Sequence, residues 1–180
     1  MQKITIKKIL QKKNNTPITC LTAYSKNTAK IADKYCDIIL VGDSLGMVLY
    51  GMKTTRDVKI ETMILHAKTV KNFAKKSLVV IDMPYKSYTN KLIAYKNAKK
   101  ILKLTKCDAI KLEGGKKIVS IIKYLKKKGI PVMGHIGLTP QSVNKLGGYR
   151  IIGKYIDEAS QLLKDAKALQ EGGVYSIVLE

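Results

Sequence analysis

The sequence predicts an α/β protein built on a parallel sheet, and three observations carry that expectation. Six short apolar runs recur along the 180 residues. Longer stretches with helical spacing separate them. Most of the runs are near-continuous in Ile, Val and Leu instead of alternating, as in strands buried on both faces. The length suits one domain, residues 1–180, with a sizeable core.

Taken in order, the opening segment sets Ile4, Ile9 and Leu10 on one side, which predicts a short helix covering an end of the sheet. The first two strands are expected in ITCLTAY (18–24) and DIILVGD (37–43). Val58, Leu65, Val70 and Phe73 then mark a helix before LVVIDMP (78–84). Leu92, Tyr95, Ile101 and Leu102 mark a second before DAIKLEG (108–114). Ile118, Ile122 and Leu125 mark a third, and Gly129 stands ahead of the strand PVMGHIG (131–137). Leu162, Leu163, Ala166 and Leu169 mark a fourth, which Gly172 and Gly173 end before YSIVLE (175–180). Each helix turns lysines to water. Strand–helix alternation implies right-handed crossovers. Pattern and length leave two architectures open: a doubly wound open sheet, complete at this length, and a (β/α)8 barrel, which needs roughly 200–250 residues.

Composition narrows the function classes. Hydrophobic residues make up 46% of the chain, enough for a globule. No apolar run approaches the roughly 20 residues of a membrane helix, and charges interrupt the apolar stretch at the N-terminus, which argues against a signal peptide. Cys20, Cys36 and Cys107 show no zinc or disulfide spacing and read as reduced thiols of a cytoplasmic protein. The formal charge of +21 allows a nucleic-acid partner. Against it, arginine occurs only at Arg56 and Arg150, although arginine is the residue suited to bidentate phosphate and base contacts. The lysines are also spread over several helices. No nucleic-acid partner is expected.

The functional signal lies where the strands end. Asp43-Ser44 follows the second strand and Asp82 the third. The fourth carries Lys111 and Glu113 on one face, the fifth His135, and the last ends at Glu180. Ligands of parallel α/β folds bind at this rim. Carboxylates crowded there need neutralisation, and Mg2+ prefers carboxylate, water and substrate oxygens. Asp43 and Asp82 are the expected direct ligands. Glu113 would bind directly or through a water, and Lys111 would pair with a substrate carboxylate. Taken singly, each Asp could be a turn former or helix cap, Lys111 and Glu113 a structural pair, and His135 a hydrogen-bonded core histidine. His66, inside a helical pattern, reads as structural. The recurrence of the rim favours a site.

The blocks ITCLTAYS (18–25), LVGDSLGMVLYG (40–51), IDMPYKSY (81–88), IKLEGG (110–115), GHIGLTPQSVNKLGGYRIIG (134–153) and IVLE (177–180) resemble, in order and over nearly the whole chain, those of the ketopantoate hydroxymethyltransferase family. The resemblance implies a (β/α)8 barrel of the TIM type. It implies Mg2+ as cofactor and transfer of a one-carbon unit from 5,10-methylenetetrahydrofolate to 3-methyl-2-oxobutanoate, giving 2-dehydropantoate. It makes Asp43 and Asp82 residues of both metal and substrate, Ser44 and Lys111 substrate contacts, Glu113 a metal residue and Glu180 the proton acceptor. His135 receives no role. The partners implied are a 2-oxo acid, a folate and further copies of the chain, in decamers.

Family chains continue past the segment matching IVLE by two more strand–helix units. The expectation is therefore an incomplete barrel of about six units, with much lower activity than a full-length member. An inactive remnant or assembly subunit is the alternative, and a basic nucleic-acid-binding protein the next.

Overall fold

The computed structural model describes residues 2–143 and 147–180; residues 144–146, inside the block that runs from Gly134 to Gly153, lie outside them. Within these, β1 (Cys20–Thr22), β2 (Ile38–Val41), β3 (Leu78–Asp82), β4 (Ala109–Glu113), β5 (Val132–Ile136) and β6 (Ser176–Leu179) form one parallel sheet. Their spatial order equals their sequence order. A doubly wound sheet must reverse direction at a switch point. This one never does, so the architecture is the barrel type, a curled sheet open between β1 and β6.

The helices α1 (Ile6–Gln11), α2 (Lys26–Tyr35), α3 (Leu45–Tyr50), α4 (Ile60–Phe73), α5 (Lys91–Thr105), α6 (Val119–Lys127) and α7 (Ile156–Gly172) fill the connections. Ser25 starts α2 through a capping box with Thr28. Asn90 caps α5 by accepting the Ile93 N–H at 2.9 Å. Gly173, at φ 95°, closes α7 in the left-handed region that glycine adopts without strain.

Two apolar layers result. Outward-facing strand residues, among them Ile39, Val79, Ile81, Ile110, Leu112 and Val132, pack against the helices. Inward-facing residues Ile38, Leu78, Val80, Ala109 and Met133 meet Ile4 and Ile9. The opening helix thus plugs the N-terminal end of the sheet, as its pattern predicts. Beside the plug, the Asp108 carboxylate takes the Lys3 ammonium at 2.6 Å, the Lys71 ammonium and the Val79 N–H.

The helix faces follow expectation at most positions, with Val70, Ile101, Ile122, Leu125 and Leu169 buried and Phe73, Tyr95, Leu102, Leu162 and Ala166 packed on the core, and depart from it at four leucines. Leu10, Leu65, Leu92 and Leu163 point to solvent. The buried faces are Met63, Ile64, Ala67 and Val70 in α4, and Ala94, Ala98, Ile101 and Thr105 in α5. The alanines among them, Ala67, Ala94 and Ala98, let the helix backbones approach the strands. Large apolar letters alone therefore find most of each stripe and miss its alanines. Val58, just after the 3-10 turn Thr55–Asp57, and Ile118, the last residue of the 3-10 turn Lys116–Ile118, lie ahead of their helices.

Candidate active site

The inward face of the sheet changes chemistry within one residue pair of its C-terminal end. Parity of two carries the apolar positions Val80, Ala109, Met133 and Val178 on to Asp82, Lys111, His135 and Glu180. Register does the rest. Asp82 pairs with Lys111, and Glu113 with His135, across neighbouring strands. Asp43 follows β2 across a close approach at Gly42, where an added Cβ would stand 3.0 Å from Ser44 Oγ and 3.6 Å from Asp82 Oδ2.

The polar groups are deeply enclosed. Asp43 and Asp82 are each 3% exposed, Lys111 4%, Glu113 6% and His135 2%. The Lys111 ammonium lies 3.1 Å from Asp82 Oδ2 and 3.2 Å from His135 Nδ1. An ammonium only donates, so Nδ1 accepts from it and the imidazole N–H sits on Nε2. That N–H faces Glu180 Oε2 at 3.2 Å, although off the hydrogen-bond line. Glu180 itself is zipped along β5: its N–H donates to Ile136 O at 3.1 Å and its carbonyl accepts the Leu138 N–H at 2.8 Å. Gly137, at φ 89°, admits this approach, since a Cβ there would collide with the Glu180 carbonyl. Ser44 is half-buried, with Oγ 2.6 Å from the Tyr24 hydroxyl.

Each carboxylate has one oxygen engaged by the protein. Asp82 Oδ2 accepts the Asp43 N–H at 3.2 Å in addition to Lys111, while its Oδ1 is buried without a hydrogen-bond partner. Glu113 Oε2 accepts the Gln141 N–H at 3.0 Å, while its Oε1 is buried without one. Asp43 Oδ2 accepts the Gln141 Nε2 at 2.7 Å. Buried orphan oxygens of this kind are rare in folded proteins and call for a partner.

The charges disagree with their surroundings in a consistent direction. Burial, then the charges of Asp82 and Glu113, push the Asp43 carboxyl up to about 8. Burial also raises Asp82, with Glu113 adding to it against the pull of Lys111. Burial opposes the Lys111 ammonium, but Asp82, Glu113 and Asp43 outweigh it and hold its pKa above the usual range. The donor set, crowded and all oxygen, suits a hard divalent cation. Among the described residues no three or more His, Cys, Asp or Glu side chains are gathered closely enough to hold an ion by themselves. Mg2+ is a hard cation that usually binds through one or two carboxylates and keeps water or substrate oxygens.

The family model of ketopantoate hydroxymethyltransferase matches residues 3–180. The chain belongs to this family. Three similar relatives, all named 3-methyl-2-oxobutanoate hydroxymethyltransferase, come from Pelagibacter ubique, Rhizobium etli and Bartonella quintana. The first is 55% identical over 177 residues, covering 97% of this chain and 68% of the relative. The second is 48% identical, covering 99% and 66%. The third is 49% identical, covering 100% and 66%. The chain thus spans about two thirds of the length of these curated relatives.

Solved structures agree on the fold. One of phosphonopyruvate hydrolase in complex with oxalate and Mg++ gives a TM-score of 0.72 at 11% identity, covering 98% of this chain and 63% of that one. One of 2,3-dimethylmalate lyase, a PEP mutase/isocitrate lyase superfamily member, gives 0.67 at 14%, covering 100% and 63%.

All the residues singled out from the hydroxymethyltransferase blocks lie at this one end of the sheet. Gln141 and Tyr88 were not foreseen. Gln141 sits in a 3-10 turn, Pro140–Ser142, headed by proline. Its N–H belongs to the first residues of the turn, which have no partner inside it, and Glu113 takes it. Its side chain then reaches three other elements of the site. His66 proves structural: Nδ1 lies 2.7 Å from Tyr24 O and Nε2 2.7 Å from the Tyr50 hydroxyl.

Proposed function

We propose that this chain carries the catalytic mouth of a 3-methyl-2-oxobutanoate hydroxymethyltransferase that uses Mg2+ and 5,10-methylenetetrahydrofolate. The observation that carries the reading is the set of buried carboxylates Asp43, Asp82 and Glu113, the last two each with one oxygen left without a partner, enclosed beside Lys111 in a chain of this family. In the reaction the C3–H bond of the 2-oxo acid breaks, C3 bonds to the folate methylene, both methylene–nitrogen bonds of the folate break, water supplies the hydroxyl of 2-dehydropantoate, and the proton lost from C3 and the remaining proton of that water end on the two folate nitrogens.

Asp43 and Asp82 hold the ion in this reading, with Glu113 acting directly or through a water. When bound, Mg2+ supplies positive charge to the carboxylate and ketone oxygens of the keto acid and steadies the charge that develops on the ketone. The protein does the remainder. Lys111 draws in the substrate carboxylate, and Ser44 contacts the bound acid. Glu180 removes the C3 proton; a carboxylate on the rim suits that task once the acid is held against it. His135 faces that carboxylate with Nε2. The inward apolar side chains Leu40, Val80, Met133 and Val178 form the floor below and keep water out. The Mg++ and oxalate of the phosphonopyruvate hydrolase structure support a site of this kind on this fold. A cytoplasmic homo-oligomer belongs to the same reading, and the free thiols of Cys20, Cys36 and Cys107 suit a reducing compartment.

The test is calorimetric titration of 3-methyl-2-oxobutanoate with and without Mg2+, paired with deuterium exchange at C3 followed by NMR. Binding that requires Mg2+, and that vanishes in Asp43→Ala and Asp82→Ala variants whose circular dichroism is unchanged, is expected. Mg2+-dependent binding that survives both substitutions overturns the reading.

A further inference from the structure

We propose that Gln141 is a positioning residue for the active site: its side chain fixes which oxygen of Asp43 is left for ion and substrate, and Tyr88 locks its amide. The proposal rests on the functional reading above and deepens it. Gln141 is 4% exposed, and every polar atom of its side chain is engaged. Nε2 donates to Asp43 Oδ2 at 2.7 Å and to Met83 O at 3.0 Å. Oε1 accepts the Tyr88 hydroxyl at 2.6 Å.

The orientation of the amide follows from chemistry. A main-chain carbonyl cannot donate, so the atom facing Met83 O must be the nitrogen. A flipped amide would set its oxygen against that carbonyl and against the Asp43 carboxylate together. The nitrogen has two hydrogens, and both are used. Tyr88 then has one sensible choice, to donate to Oε1. Its hydroxyl lies 3.4 Å from Glu113 O, a far weaker alternative. The chain Tyr88–Gln141–Asp43 therefore transmits direction: the hydroxyl orients the amide, and the amide pins Oδ2. The Gln141 N–H pins Glu113 Oε2 from the same turn. One residue thus holds two of the three carboxylates by a single oxygen each. No other uncharged side chain of this length supplies two donors and an acceptor.

Groups that orient ligating side chains typically change metal affinity by about 10- to 100-fold when removed. The experiment titrates Mg2+ in the presence of 3-methyl-2-oxobutanoate into the wild-type chain, Gln141→Leu, Tyr88→Phe and the double variant, with circular dichroism on each. Gln141→Leu is expected to lose about 10- to 100-fold in Mg2+-dependent affinity. Tyr88→Phe, which deletes only the hydroxyl, is expected to lose about two- to tenfold. Adding Tyr88→Phe to Gln141→Leu is expected to cost nothing further, since the hydroxyl acts through the amide. A role confined to packing would lower stability without this non-additivity. Wild-type affinity in a folded Gln141→Leu or Tyr88→Phe variant, or losses that simply add, overturns the proposal. Should Gln141→Leu fail to fold, Tyr88→Phe and Gln141→Asn decide alone. A wild-type chain that binds Mg2+ but no keto acid overturns the functional reading instead, and the positioning claim is then read from Mg2+ alone. A wild-type chain that binds no Mg2+ overturns both.

Discussion

Replacing Lys111 with methionine isolates the contribution of the ammonium, because methionine keeps most of the volume and removes the charge together with its contacts to Asp82 and His135. Lys111 stands against three carboxylates, touching Asp82 at 3.1 Å and raised by Asp43 and Glu113 as well. Removing one partner of a buried pair leaves the other charge uncompensated and costs about 3–5 kcal/mol. For a chain of this length that is a fall in Tm of roughly 6–20 °C. The size depends on pH in a fixed direction. A carboxyl whose folded pKa is raised keeps its proton in the native state while the unfolded chain has lost it, so stability falls as pH rises. The window opens near the ordinary carboxylate range and closes near the Asp43 value of about 8. The variant is therefore least affected at pH 5 and most affected at pH 8. Mg2+ replaces part of the missing charge, so it is expected to raise the Tm of Lys111→Met more than that of the wild type, while keto-acid affinity falls. Thermal unfolding across this pH range, with and without Mg2+, reads both effects. A Tm within 2–3 °C of wild type at pH 8 without the ion, about the change 1 kcal/mol produces, refutes the reasoning, as does keto-acid affinity that does not change.

Four other outcomes follow from named residues. Glu180→Gln is expected to slow C3 deuterium exchange by about 10²- to 10⁴-fold while Mg2+-dependent binding stays within a few-fold; equal losses of exchange and binding contradict the base assignment. At the opposite end of the sheet, burial disfavours the Asp108 charge, but Lys3, Lys71 and the Val79 N–H overcome it and hold the carboxyl below the usual range. Its stabilisation is then present above the ordinary carboxylate pKa and lost as pH falls through the lower folded value. Asp108→Asn is expected to cost about 1–3 kcal/mol at neutral pH and to show a shallower loss of stability below pH 4, measured by urea unfolding. Ile9→Ala, at the buried plug, is expected to cost about 2–5 kcal/mol. Leu65→Asn, on an exposed face, should change stability by less than about 0.5 kcal/mol; a large loss there means the face is covered by another molecule.

The strands were readable because burial on both faces leaves runs such as LVVID and IILV with no polar interruption until the rim. The helix faces were readable only in part. A helix that approaches a strand closely buries alanine, and α2 buries only Ala29 and Ala32, letters that say little beside an exposed leucine. The rim residues Asp82, Lys111, Glu113 and Glu180 were readable because strand parity and chain order alone place them. Gln141 was not, since its meaning depends on a loop turn meeting Asp43, 98 positions away. Barrel and doubly wound sheet could not be separated by pattern, because strand order in space leaves no trace in the alternation of elements. The family blocks resolved that choice, and the sequential order of β1 to β6 agrees.

The arrangement of donors explains why the site tolerates its own repulsion. Donors placed on every carboxylate oxygen would neutralise the cluster and leave nothing for an ion. Donors on none would leave the oxygens free to turn to any neighbour. Here the Asp43 N–H and Lys111 engage one oxygen of Asp82, and the two nitrogens of Gln141 engage one oxygen each of Glu113 and Asp43. Asp82 Oδ1 and Glu113 Oε1 stay buried and bare. Orientation is thus set before binding, while the electrostatic penalty is only partly relieved. That remaining penalty is what a divalent cation removes on arrival, so affinity for the ion and instability without it have one origin. Substitutions that relieve the repulsion, Asp43→Asn foremost, should therefore raise Tm in the absence of metal and abolish the stabilisation that Mg2+ confers. A variant that gained stability and kept its response to Mg2+ would separate the two and break the argument.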